Sequence, residues 1–461
     1  MKKCLFMLLA MVSLSAWSVA AQIPRSRHVW IVAEENHSFE AASASMPYLM
    51  SLGNQYGIAT QYYADMHNSI SALMHLTAGA TVTTDDSTRE TFNVDNIVRH
   101  LAHKGLTFRS YQQGLPQPGF LGLWSGTYVK RHDPLAYFSD VADTNLRFNL
   151  VPLGQLASDL EHHGTANYNY VTPGLDYDAH DGTLEAADEW LRNILPSILA
   201  QPEFQTGGDG LLFITFDEGN LGDVDFRCDA FTKNQDCGGR VLTVLVGPNV
   251  KRGFRSHTFY NHESLLATVC RALGTDGCPG KADHAQPMAD FFIAPLSVSP
   301  TTATVPPGQP AQYSLVLRPV SGFFNADVTF SCGNLPAGAE CYFSPSTVRP
   351  GDSGASTTLT VSLLPHSAAI RPRSRPAVQF ALWLGLPGLA LIPAAGEKRK
   401  RLLALLAVAA AFLLCLLCLG CGGGSRPALA HASYVHTYTI NVTAQSPSAS
   451  FSIPLKLHVT R

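Results

Sequence analysis

Charge is what this 461-residue chain has least of. Asp, Glu, Lys and Arg together make 15% of the residues and nearly cancel, for a net charge of −3, against about a quarter charged in an ordinary soluble domain. A balance this flat offers no electrostatic footprint for nucleic acid, which is not expected as a partner. Metal-knuckle cysteine spacing is also missing where cysteines pair up. None of the near-neighbour sets Cys228/Cys237, Cys270/Cys278 and Cys332/Cys341 has the two-residue gap of a zinc knuckle, and no histidine follows at ligand spacing.

Part of the charge deficit lies in apolar segments. Met1-Lys2-Lys3, the run Cys4–Val12 and the small residues Val19-Ala20-Ala21 have the basic start, apolar centre and cleavage site of a secretory signal, ending after Ala21. Export implies an oxidising compartment, so the three cysteine sets are expected to be short-loop disulfides. Hydrophobic residues make up 46% of the chain, enough for two or three domains with cores of their own.

Residues 22–293 alternate short apolar runs with helical patterns. His28–Ala33, Leu106–Phe108, Asn169–Thr172, Leu211–Phe216 and Val241–Val246 are expected strands. Leu184, Ala187, Leu191, Ile194 and Ile198 recur at helical spacing and predict a helix over 182–199. The alternation predicts an α/β fold with a doubly wound, mostly parallel sheet. Polar clusters sit where three of these strands end: Glu34-Glu35-Asn36-His37-Ser38-Phe39, then Pro173 to Asp181 with Asp178 and His180, then Asp217-Glu218-Gly219. Open α/β sheets bind ligands at that edge, and adjacent hard oxygen donors suit a divalent cation.

The motifs resemble those of the phosphoesterase family that holds bacterial phospholipases C and acid phosphatases, within the alkaline-phosphatase superfamily. Glu35-Asn36 with Ser38-Phe39 is similar to its Glu-Asn-x-Ser-Phe, Asp178-Ala179-His180-Asp181 to its Asp-x-His-Asp, and Thr215-Phe216-Asp217-Glu218-Gly219 to its Thr-Trp-Asp-Glu-Gly. Val246–Gly253 and Tyr260–Leu266 resemble its closing segments, so the likeness runs over about residues 26–275. In this superfamily a Ser or Thr nucleophile lies ten positions before a glycine, a register that Ser69 and Gly79 satisfy. His67-Asn68-Ser69-Ile70-Ser71 resembles the family's His-Pro-Ser-x-Pro with both prolines replaced, which leaves Ser71 as a rival.

The resemblance implies a catalytic role for Ser69 and His180, and a divalent metal held among Glu35, Asn36, Ser69, Asp178, His180, Asp217, Glu218 and His262. The cation would activate the serine hydroxyl and screen the phosphate, but this donor set does not choose among zinc, magnesium and calcium. The implied substrate is a phosphate ester, phospholipid among the candidates, and phosphatase and phospholipase C are not separated. The competing reading is a catalytically inactive surface-binding protein. His132, in Lys130-Arg131-His132-Asp133-Pro134, resembles a family segment, which implies a role at the substrate mouth, against a structural or surface role that is preferred; His162 and His163 close a helix pattern.

From residue 294 the composition turns to Ser, Thr, Pro and Val with period-two runs. Residues 294–365 and 433–461 are expected to be the two parts of one β-sandwich, which resembles immunoglobulin-like (Ig-like) modules of bacterial surface proteins. Between them, 376–420 holds two apolar segments around Glu397-Lys398-Arg399-Lys400-Arg401, expected as a membrane hairpin with its basic turn inside. The chain is thus expected to be exported and anchored at the cell surface or in the periplasm. Leu419-Gly420-Cys421 also resembles a lipobox, at an internal position that disfavours it.

Overall fold

A computed structural model describes residues 23–220, 237–363 and 435–460. Its centre is an eight-stranded mixed sheet: β1 (His28–Glu34), β2 (Gly57–Ala59), β3 (Phe108–Gln112), β4 (Leu150–Pro152), β5 (Tyr168–Thr172), β6 (Gly210–Phe216), β7 (Thr243–Val246) and β8 (Phe254–Ser256). The order across the sheet is β8-β2-β7-β6-β1-β5-β3-β4. Only β7 runs against the rest, pairing antiparallel with both β6 and β2.

β1 and β6 are buried along almost their whole length. That follows from the unbroken apolar runs Val29–Ala33 and Leu211–Ile214, since a central strand covered on both faces has no solvated side to alternate toward. Helices α1 (Ser69–Ala78), α2 (Leu184–Leu199) and α3 (His262–Leu273) pack around this sheet. Thr183 caps α2 through its side chain, so the helix starts two residues later than its periodicity suggests. The expected strand Leu106–Phe108 is displaced to Phe108–Gln112. β2, β4 and β8 were not anticipated, being three residues each and too short for a period to register.

α1 ends at Gly79, which adopts φ +63°. A Cβ there would lie 2.4 Å from the Pro279 carbonyl oxygen, so both conformation and space demand glycine. Gly105 has φ +67°, but a Cβ added there would meet nothing within 4 Å, and the position separates the two effects. Gly79→Ala is expected to destabilise the protein by about 3 kcal/mol or more and Gly105→Ala by only about 1 kcal/mol. Thermal melts of the two variants check this; equal shifts would mean that the contact with Pro279 is soft.

Beyond residue 293 two further sheets share one apolar cluster that includes Leu315, Leu359, Val361, Ile440, Val442, Leu455 and Leu457. One sheet contains Leu296–Ser299, Ala311–Leu317, Ala339–Ser344 and Ala355–Leu363. The other contains Thr302–Val305, Val328–Gly333, Thr347–Val348, Val435–Gln445 and Ser450–Thr460. The strands on either side of the 364–434 interval therefore lie in one arrangement, with Val435–Gln445 paired to Val328–Gly333.

Disulfides join Cys270 to Cys278 and Cys332 to Cys341, the latter linking the two sheets. Cys237 is disulfide-bonded, while its expected partner Cys228 lies outside the described residues. So do the signal segment 1–21 and the hairpin 376–420. Among the described residues no helix is long and apolar enough to cross a membrane.

Candidate active site

β6, β1 and β5 are neighbours at the middle of the sheet, so the three polar clusters that follow them meet. Hydrogen bonds stitch the strand ends together. The Glu35 amide donates to the Asp178 carbonyl at 2.8 Å, the Asp217 amide to the Glu34 carbonyl at 2.9 Å, and the Asn36 amide to Asp217 Oδ1 at 2.9 Å. Asn36 has φ 57° and Ala179, between Asp178 and His180, has φ 71°. A left-handed alanine carries strain of about 1–2 kcal/mol, and here it lets the His180 amide turn back onto Asp178 Oδ1 at 2.9 Å.

Ser69 is the first residue of α1, buried, with its Oγ donating to Glu35 Oε2 at 2.8 Å. Ser71, two residues on, donates instead to Met66 Sδ at 3.3 Å. Of the two serines, only Ser69 faces the carboxylates. The helix N-terminus adds partial positive charge at that point, favourable to an anion. Glu218 Oε2 accepts from the Asn68 amide at 2.9 Å and pairs with His67 Nδ1 at 2.7 Å, fixing the loop that presents Ser69.

His132, left out of the site on sequence grounds, lies within it. It is 2% exposed and stands between two acids, Nδ1 at 3.1 Å from Asp178 Oδ2 and Nε2 at 3.2 Å from Glu35 Oε1. The second contact is close but misaligned: neither atom completes a hydrogen bond. Burial pushes the His132 pKa down, so the ring is neutral near pH 7. The signal that could have found it was the likeness of Lys130–Pro134 to a family segment. His132→Ala is expected to lower turnover about 10–100-fold by releasing Glu35 and Asp178 from their positions. Steady-state kinetics with unchanged kcat would make the residue a packing element.

Burial dominates the titration of the acids. It raises Glu35 well above the usual carboxylate range, with Asp217 and Asp178 adding like-charge repulsion. It also raises Asp217, with Glu218 next in effect. Glu35 Oε1 and Asp217 Oδ2 are buried without a hydrogen-bond partner. Orphaned buried carboxylate oxygens are unfavourable unless something positive lies beside them.

The two expected histidines are placed differently. His262 Nε2 donates to the Asp217 carbonyl at 2.6 Å and Nδ1 accepts from the Tyr62 hydroxyl at 2.9 Å. Both ring nitrogens are engaged, and burial pushes its pKa down to about 4. It orients the Asp217 backbone. His180 is more open: its ring lies 5.8 Å from that of His132, and its Nδ1 is 3.0 Å from Asp181.

A second cluster was not foreseen. Asp65, His75 and Glu263 bring ligand-type atoms within 4.8 Å of one another. These groups already satisfy each other and their neighbours: His75 Nδ1 with Glu263 at 3.0 Å, Asn261 Nδ2 with Asp65 at 2.6 Å, and the His262 amide with Asp65 at 3.0 Å. Of these two sets, the one with buried oxygens lacking a hydrogen-bond partner is the one around Ser69.

A family model described as the Phosphoesterase family matches residues 41–274. An acid phosphatase of Aspergillus niger is 28% identical over 259 residues, 54% of this chain and 58% of that protein. A phosphatidylinositol-3-phosphatase of Mycobacterium tuberculosis is 29% identical over 280 residues, 59% of this chain and 85% of that protein. The chain thus spans little more than half the length of the fungal relative. Among solved structures, a protein of the alkaline phosphatase superfamily from Vibrio parahaemolyticus aligns with 65% of this chain and 79% of its own. That alignment has a TM-score of 0.41 and 11% identity, too loose a likeness to carry argument.

Proposed function

The chain belongs to the Phosphoesterase family, and from that premise we propose that it hydrolyses phosphate esters with Ser69 as the nucleophile. The observation that carries this is a buried serine hydroxyl held at 2.8 Å by Glu35, beside carboxylate oxygens of Glu35 and Asp217 that have no hydrogen-bond partner. Fungal acid phosphatases and a phosphatidylinositol-3-phosphatase among the relatives support the same chemistry.

A divalent cation fits this donor set. The orphaned oxygens supply hard anionic ligands, the Ser69 oxygen faces them, and His132 Nε2 lacks a hydrogen-bond partner at the same place. Glu35, Ser69 and Asp217 would hold it, with Asn36, Asp178 and Glu218 around them. When bound, it would lower the pKa of the Ser69 hydroxyl and screen phosphate charge. Its identity among zinc, magnesium and calcium is left to metal analysis. The chain's own residues do the rest. Glu35 orients the Ser69 oxygen for attack on phosphorus. A bond from Ser69 Oγ to phosphorus forms as the phosphorus–oxygen bond to the leaving group breaks, and the serine proton passes by way of the surrounding carboxylates to the departing oxygen, which leaves as the alcohol. Water then displaces Oγ from phosphorus, releasing phosphate or a phosphomonoester and restoring the serine.

Burying acids this way serves no binding role for a β-strand surface, so the catalytic reading is preferred to an inactive surface-binding protein. With it go the remaining elements of the reading: a signal over 1–21, a catalytic domain over 22–293, and an Ig-like β-sandwich from 294–365 and 433–461. A membrane hairpin over 376–420 would anchor the exported protein. Turnover of p-nitrophenyl phosphate set beside phosphatidylcholine tests the function and separates phosphatase from phospholipase C. Inactivity on both, with metal supplied, would sink it.

A further inference from the structure

Exposed apolar side chains are concentrated on one side of the candidate active site. Among the described residues of 23–293, the exposed large hydrophobic side chains are Trp124 (75% exposed), Phe148 (49%), Tyr177 (39%) and Leu146 (38%). Trp124 and Tyr177 belong to the loops that leave the carboxyl edge of β3 and β5, and Leu146 and Phe148 to the 3₁₀ turn that leads into β4, beside Gly119 of the Trp124 loop. Residues 110–129 contain no Asp, Glu, Lys or Arg, in a stretch where Phe120, Leu121 and Leu123 are also partly exposed. Single surface hydrophobics are ordinary; a cluster at the mouth of a site is not.

This rim is built into the site rather than appended to it. Trp124 and Val129 pair in a short hairpin, and the Lys130 amide donates to the Leu123 carbonyl at 2.8 Å. The chain then runs straight into His132. On the other side, the Leu175 amide donates to the Thr127 carbonyl at 3.0 Å, tying the hairpin to the loop of Asp178 and His180. Gly119 packs against the Phe148 ring, and the Arg147 guanidinium lies 5.0 Å from that ring's centroid. Next to Tyr177 opens a cavity of about 970 Å³ whose walls include Leu153, Leu156, Leu160, Trp190 and Ile194.

We propose that this rim is a lipid-docking surface. Trp124, Phe148 and Leu146 enter the interfacial zone of a bilayer, and a phosphate ester carried by a lipid is thereby presented to Ser69. Three features select a bilayer over a protein or a second copy of the chain. A charge-free loop can enter the acyl boundary without burying an unpaired ion. Trp with its amphipathic ring prefers the headgroup level, and Arg147 behind Phe148 supplies a cation there for lipid phosphate. The cavity beside the rim, walled by apolar side chains together with Glu161 and Glu189, offers room for part of an acyl chain. The inference rests on the phosphoesterase reading for its catalytic consequence and on the rim alone for docking.

The test has two arms on the full-length protein. In the first, emission due to Trp124 is isolated as the difference between wild type and Trp124→Phe, since the chain holds five tryptophans. It is recorded with vesicles of phosphatidylcholine brominated in the acyl chains. Quenching of that difference signal is expected, and because it follows one side chain it is independent of any other membrane attachment. A difference signal unquenched by brominated lipid overturns the proposal, as does one that shifts with protein concentration without vesicles, the mark of a second copy.

In the second arm, the pair Trp124→Ser and Phe148→Ser is expected to lower hydrolysis in vesicles of phosphatidylcholine and phosphatidic acid about tenfold. Hydrolysis of p-nitrophenyl phosphate should be unchanged. Equal loss on both substrates overturns the docking role. Absence of turnover of both p-nitrophenyl phosphate and vesicle lipid in wild type, with metal supplied, would instead sink the phosphoesterase reading, leaving the quenching arm to decide docking.

Discussion

Ser69→Ala is expected to lower kcat on p-nitrophenyl phosphate by about 10³-fold or more, leaving KM within a few-fold of wild type. The substitution removes one oxygen from a buried position where it donates to Glu35 Oε2 and leaves α1 intact, because alanine favours a helix at least as well as serine. Phosphate binding by the helix N-terminus and the carboxylate-held cation should survive, so the defect falls on the covalent step. Ser71→Ala supplies the control: its hydroxyl donates to the Met66 sulfur, and its loss should change kcat less than about threefold. Acid quenching after brief incubation of wild type with substrate should trap phosphate on the peptide that contains Ser69. Label on Ser71, or full activity in Ser69→Ala, would overturn the assignment.

The ten-residue interval from Ser69 to Gly79 shows why part of this site was legible in the sequence. That interval is the length of α1, begun by the serine and stopped by a glycine that no other residue replaces without meeting Pro279. A spacing enforced by a whole helix leaves a mark in the chain. So do β1 and β6, whose unbroken apolar runs could only be central strands and whose ends place Glu35 and Asp217.

His132 left a weaker mark, since it sits in a three-residue 3₁₀ turn, Lys130–His132, with no period to mark its direction. Its partners Glu35 and Asp178 are 97 and 46 residues away by number, so its role exists only once β1, β3 and β5 are aligned. The pairing of Asp65 with His75 and Glu263 was invisible for the same reason, although His75 and Glu263 share helices with Ser69 and His262. The antiparallel run of β7 also escaped notice, because a buried apolar strand reads the same in either direction. Glu34 shows the converse. Adjacent to Glu35 and equally acidic in sequence, it is buried with neither oxygen hydrogen-bonded, and burial first raises its pKa far above the carboxylate range. Two neighbouring glutamates thus take different tasks for reasons the sequence does not carry.

Stripping divalent cations with a chelator is expected to make stability depend on pH in a direction opposite to ordinary acid denaturation. Asp217 is fully buried, with a pKa pushed up to about 8 by burial and by Glu218, whereas in the unfolded chain an aspartate titrates near about 4. Between those values the folded state binds the extra proton, so stability is greatest at the acid end and falls as pH rises from about 4 to about 8. From pH 6 to pH 8 that single group accounts for roughly 2–3 kcal/mol, a loss in Tm of about 5–10 °C for a domain of this size. A bound cation reverses the sign of the local field, favours the ionised carboxylates and should remove most of this dependence. Asp217→Asn should do so without metal, because the carboxamide oxygen still accepts from the Asn36 and Glu218 amides while its NH2 group can donate to Glu35. The variant should therefore melt at least as high as chelated wild type at pH 8, yet bind far less metal and turn over substrate poorly. Melting curves at pH 6 and pH 8, with chelator or with zinc, magnesium or calcium, and metal content measured on both proteins decide the matter. A chelated wild type with the same Tm at both pH values, or Asp217→Asn with undiminished metal, would show that these acids are not the cation's seat.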